Sequence, residues 1–180
     1  DLPAPAKWLP GDPVKEIPRR HYPAPGDQTD VPPPSEFNID PLLEQQANAP
    51  LNSSRAFTTP SRNFAGLGYS GVNPPDTVGD IGQDHYIQSI NAGSGSTVRI
   101  WDKAEPTPNV LTTFTMDSLG TGNCASGKGD PVVLYDRLAD RWMLSEFSNS
   151  GNYLCVYISQ TGNPISGGWY NYAFQAPSFP

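Results

Sequence analysis

The chain of 180 residues lacks any apolar run long enough to cross a bilayer as a helix. It is also poor in basic charge. Lysine and arginine total 11 against 18 acidic residues, and no basic cluster exceeds Arg19-Arg20. A net charge of −7 without a cationic patch leaves no electrostatic footprint for nucleic acid or for an anionic membrane surface. Neither class of partner is expected, and nor is membrane insertion. Histidine occurs only at His21 and His85, and no Gly-x-Ser-x-Gly elbow is present. A nucleophile activated by an imidazole base therefore has no support. From residue 63 onward no window carries a helical period.

Proline is what the chain has instead, and it is unevenly placed. Of 21 prolines, 13 lie within residues 1–60, beside few aromatic or β-branched residues. Proline fixes φ and removes a backbone donor, so this stretch favours extended conformation and turns. Residues 1–62 are read as an extended arm or strap, with Trp8, Leu9, Tyr22, Phe37, Leu42 and Leu43 as its pins. The globular part is expected over 63–180. The start at Asp1 reads as a mature, exported product. Cys124 and Cys155 are the only cysteines. In an acidic chain rich in Gly, Asn and Ser they are expected to form a disulfide, which fits a secreted or cell-surface location.

Beyond residue 63, short alternating runs separated by turn formers predict an all-β fold. The runs are 85–91, 97–103, 110–116, 131–136, 141–147, 153–159 and 169–174. Gly79-Asp80 and Gly129-Asp130 each open a series of similar runs, 50 residues apart. Two units of about four strands follow, at about 70–120 and 125–175, the spacing of propeller blades. Val132 and Leu134 alternate with Val133 and Tyr135, and Leu154, Val156 and Ile158 with Cys155 and Tyr157. Strands apolar on both faces need cover on both sides. Two blades cannot close a ring, so the expected partners are further blades beyond Pro180 or sister subunits. The alternative is a β-sandwich.

The segments FAGLGYSGVNPPDTVGDIGQDHYIQSIN, GDPVVLYDRLADRWMLSEF and CVYISQTGNPISGGWYNYAF resemble a group of secreted bacterial proteins with β-propeller-like repeats. The likeness covers about residues 63–180 and rests on the motifs PPDT-x-GD-x-G-x-x-HY and GDPVVLYD-x-x-ADRW. It implies further blades and places both cysteines where the group has a pair; it implies no particular reaction. The turn SQTGNPISGGW (159–169) is similar to the Asp-box of sialidase-type propellers in its serine, glycines and tryptophan. It lacks the aspartate, which removes the ground for a sialidase assignment.

Asp76, Asp80 and Asp84 are hard oxygen donors on a Gly/Pro-rich loop, and Asp130 opens the second unit in the way Asp80 opens the first. Ca²⁺ takes six to eight such oxygens, so these four are the candidate metal ligands; the competing reading is acidic turns bonded to backbone. Asp76, Asp80, Asp130 and Glu146 are the carboxylates available for general acid–base work. Trp101, on the strand face of Thr97 and Arg99 and away from Val98 and Ile100, is the candidate for stacking on carbohydrate. GLGYSG (66–71) and GNCASGKG (122–129) imitate nucleotide loops, but neither leads into a helix. The expected function is a non-enzymatic extracellular binding or assembly module, with Ca²⁺ as its candidate cofactor. The alternatives are a glycan-acting hydrolase with carboxylates on a propeller axis, and a fibre subunit linked by its arm.

Overall fold

Period-two alternation of β-branched and aromatic residues with polar ones builds two four-stranded antiparallel sheets. The computed structural model describes residues 6–16, 48, 60, 62–104 and 107–175. The elements described below belong to the unit formed by residues 1–17 and 62–180. Residues 6–16 thus go with the sheets rather than with a separate arm. The expected pins Tyr22, Phe37, Leu42 and Leu43 lie outside the described residues.

The first sheet contains β3 (Val78–Ile81), β4 (His85–Asn91), β5 (Ser96–Asp102) and β6 (Val110–Thr115), paired in chain order. The second contains β7 (Gly127–Asp136), β8 (Arg141–Ser148), β9 (Tyr153–Ser159) and β10 (Trp169–Gln175), again in chain order. Two 3₁₀ turns, Met116–Leu119 and Gly122–Ala125, connect the sheets. A short parallel ladder joins β1 (Lys15–Glu16) to β2 (Val72–Asn73). The all-β prediction holds among the described residues, and seven of the strands coincide with the predicted runs to within a few residues. β3 and the first turn of β7 were not predicted as strands. Their Gly-Asp and Gly-Lys-Gly-Asp sequences have no apolar alternation and take their pairing from neighbours.

Local chemistry sets the hairpins. The Asp136 side chain accepts bonds from Leu138 N (2.8 Å) and Ala139 N (3.0 Å), an Asx turn that reverses β7 into β8. Asp140 and Asn152 occupy left-handed conformations (φ 53° each) in the turns before β8 and β9, a region that Asp and Asn tolerate better than other side chains.

The core lies between the sheets. Ile87, Val98, Ile100 and Phe114 from the first sheet meet Val133, Trp142, Leu144, Cys155 and Tyr157 from the second, all of them buried. The expected disulfide is present, joining Cys124 in the second 3₁₀ turn to Cys155 in β9. Each fully buried large apolar side chain stabilises by about 2–3 kcal/mol relative to exposure. Trp142, wholly buried, also donates its indole N–H to Gly162 O at 3.2 Å.

The other face of the first sheet is covered by the segment leading into it. Phe64 packs on Tyr86 (6.0 Å between ring centres) and Trp101 (5.8 Å). Leu67 N donates to Gln88 Oε1 at 2.7 Å. Trp8 packs edge-on against Tyr69 at 5.3 Å. Among the described residues, no segment packs in this way on the other face of the second sheet.

Candidate functional site

Two surfaces carry chemistry: an acidic cluster where the sheets meet, and the outer face of the second sheet, where exposed aromatic and aliphatic side chains gather. The cluster is organised by Asn91, which is fully buried at the end of β4. Its amide nitrogen donates to Pro74 O (3.0 Å) and Asp76 Oδ2 (2.9 Å), and its Oδ1 accepts from Asp130 N (2.8 Å). Gly129 lets β7 pass this close, since a Cβ there would stand 2.4 Å from Asn91 Oδ1 and its φ is +116°. Asp130 follows in an interruption of the β7–β8 register, with φ 57°, and Asp76 has φ 41°. Two non-glycine residues in the left-handed region, held by one buried amide, mark a constrained site.

Desolvation raises the pKa of the Asp130 carboxyl, and the neighbouring Asp76 carboxylate raises it further, while Lys128 opposes the shift. A cation beside Asp130 would relieve this repulsion.

Of the four aspartates predicted as metal ligands, the structure brings together only Asp76 and Asp130. Asp80 accepts from Ile81 N (2.7 Å) and, across to the second sheet, from Tyr135 N (2.8 Å). It acts as an inter-sheet tie. Asp84 lies beside His85, whose pKa is lowered by desolvation against the opposing pull of Asp84 and Asp102. Among the described residues no three His, Cys, Asp or Glu side chains converge as metal ligands would. The expected likeness of Asp80 and Asp130 is not carried into geometry: Asp80 sits in a regular ladder opposite Ile87, Asp130 in a bulge.

Trp101 requires correction. It is 2% exposed, sandwiched by Phe64 and Tyr86 with the Arg99 guanidinium 5.7 Å from its ring. Reading β5 alone left that face open to solvent; the segment of residues 62–70 closes it.

The exposed aromatics are elsewhere. Strand register sets three rows on the outer face of the second sheet: Tyr170–Ile158–Met143–Leu134, Tyr172–Val156–Ser145–Val132 and Phe174–Leu154–Phe147. Val132, Leu134, Tyr170, Tyr172 and Phe174 are 40–57% exposed. Ser145, itself buried, and the hydroxyls of Tyr170 and Tyr172 are the polar groups in these rows. Tyr172 and Phe174 stack at 6.3 Å and 18°.

Three surface cavities, of about 330, 360 and 380 Å³, are each lined by a single carboxylate, Asp102, Asp12 and Asp136 respectively. None offers a pair of carboxyls across a substrate-sized space. The serine of the Asp-box-like turn serves structure: Ser159 is buried, accepts from Trp142 N (2.8 Å) and donates to Thr161 O (2.7 Å).

Comparison with known proteins returns no match, whether among protein families, curated proteins or solved structures.

Proposed function

We propose that this chain is a non-enzymatic extracellular assembly module whose two sheets act as consecutive propeller-like blades, the second receiving a further β-sheet on its outer face. One observation carries the reading: the three cross-strand rows led by Leu134, Val132 and Phe174 form a continuous apolar surface. Contiguous exposed apolar surface of this kind is a mark of interaction sites. The identical strand order of the two sheets supports the blade reading, and the disulfide fits an oxidising compartment. The partner is a further blade, in the same polypeptide or in a sister subunit.

A test is the mass of the native molecule by light scattering, with Leu134→Lys and Phe174→Lys introduced together. The chain is expected to associate, or to bind a hydrophobic dye, through this face, and the double variant to do neither while keeping its near-ultraviolet circular dichroism. A wild-type chain that stays monomeric and dye-silent would end the proposal. Calcium dependence of association, if present, narrows to Asp76 and Asp130, and is read by chelation in the same assay.

The stacked Tyr172 and Phe174 rings favour a second reading, a carbohydrate platform. Saccharide titration monitored by calorimetry separates the two. The aliphatic surroundings, with no charged or amide side chain in the rows and only the Tyr170 and Tyr172 hydroxyls exposed to bond a sugar, weigh toward a protein sheet.

A further inference from the structure

The core between the sheets also buries a carboxyl. Glu146, in β8, is 0% exposed, and neither carboxyl oxygen has a hydrogen-bond partner. Ser96 Oγ, close by in β5, is likewise buried and unbonded. Asp117, from the first 3₁₀ turn, approaches from the other side and accepts a bond from Gly127 N at 2.6 Å. A Cβ on Gly95 would stand 2.5 Å from Asp117 Oδ1 and 2.8 Å from Glu146 Oε2, so both carboxyls reach the same spot. A Cβ on Gly127 would stand 2.5 Å from Glu146 Cδ, so the carboxyl lies flat on that glycine. Two glycines thus leave just enough room for the two carboxyls, with Cys155 the cross-strand neighbour of Glu146.

Leaving two buried carboxylates side by side is costly, and either a proton or a cation would relieve it. A calcium ion asks for six to eight oxygens. Glu146, Asp117 and Ser96 supply five at most, one of them already taken by the Gly127 N–H. A proton needs no extra ligand. As a neutral acid, Glu146 donates its O–H to Asp117, and Ser96 donates its hydroxyl to the other Glu146 oxygen. All three groups are then satisfied.

The geometry points to Glu146 and Asp117 sharing one proton inside the seam, an acid pair that locks the two sheets together and releases them as the proton is lost. The larger influences on Glu146 agree, with the Ser96 hydroxyl and backbone N–H opposing them. Desolvation is the largest cause raising its pKa, followed by the Asp117 charge, and together they push it from the ordinary 4.5 up to about 9. Tyr157, from β9, has its own pKa raised by desolvation and by these two carboxyls, so it stays neutral beside them. β5 and the turn before it contribute only Ser96 and Gly95 to this contact, and β7 contributes Gly127.

The sign follows from linkage. Between pH 4.5 and about 9 the folded chain keeps a proton that the unfolded chain has lost. Stability from this group is therefore full below 4.5 and falls as pH rises, by tenfold in the folding constant per pH unit, until Glu146 ionises.

The experiment compares denaturant unfolding of the wild-type chain and Glu146→Gln from pH 5 to 9. Glutamine keeps the shape and donates to Asp117 without a proton to lose. The wild type is expected to show the decline and the variant to lose about tenfold per unit of it. Isotope-edited infrared spectroscopy of the folded wild type is a second readout, with a buried carboxylic-acid band expected at neutral pH. An unchanged slope in Glu146→Gln, or the absence of that band, overturns the proposal. So does saturable stabilisation by calcium or sodium that Glu146→Gln abolishes, which would put a cation where the proton is placed.

Discussion

Removing the bond between Cys124 and Cys155 perturbs the connection between the sheets at one defined point. The residues are 31 apart. Releasing a loop of that length gives the unfolded chain about 3.7 kcal/mol of conformational freedom in the chain-entropy treatment. Both cysteines are wholly buried and belong to the inter-sheet core. Tyr157 Oη donates to Cys124 O at 3.2 Å, a buried bond that depends on the turn staying in place. Its loss adds about 1 kcal/mol. The total, about 4–5 kcal/mol, is a large part of the 5–15 kcal/mol typical of a domain. Cys124→Ala with Cys155→Ala avoids burying new polar groups. Guanidinium unfolding followed by tryptophan fluorescence should show a lower midpoint and a steeper m-value, since the unlinked chain exposes more surface when unfolded. A loss below about 1 kcal/mol would refute the reasoning and show that the 3₁₀ turns hold their place without the cross-link.

Two further outcomes follow from the acidic cluster. Asn91→Ala removes the buried amide that bonds Pro74, Asp76 and Asp130; unfolding measurements should show a loss of about 2–4 kcal/mol. Asp130→Asn relieves the repulsion with Asp76. Because the Asp130 pKa is raised in the folded state, its contribution is full at acid pH and declines as pH rises through the carboxylate range. The variant should therefore be more stable than wild type at neutral pH, with the difference vanishing in acid; carbon-detected NMR of both carboxyls reads the same pair directly.

Much of the fold was legible because alternation is a local property. The runs of β4, β9 and their neighbours carry apolar residues at every second position, and Asx and left-handed turn residues close the hairpins between them. The cysteine pairing was legible through residue type and context. The fate of Trp101 was not. Its strand shows only that it shares a face with Arg99, and the cover comes from Phe64, almost forty positions away. The acidic residues illustrate the same limit. Three aspartates close in sequence do not make a site, since hydrogen bonding to Tyr135 N diverts Asp80 while Asn91 gathers Asp76 with the distant Asp130. Asp117 carried no signal at all, yet it is the partner of Glu146.

Residue order alone determined that the described part of this chain would be short antiparallel ribbons with apolar side chains on both faces, because side-chain period and turn chemistry act over a few residues. Which faces became covered was decided only by tertiary packing. Burial depends on what another segment places opposite, and desolvation, not residue type, separates a buried acid such as Glu146 from a solvated one. The same packing left Tyr170, Tyr172 and Phe174 facing outward, where another sheet can meet them.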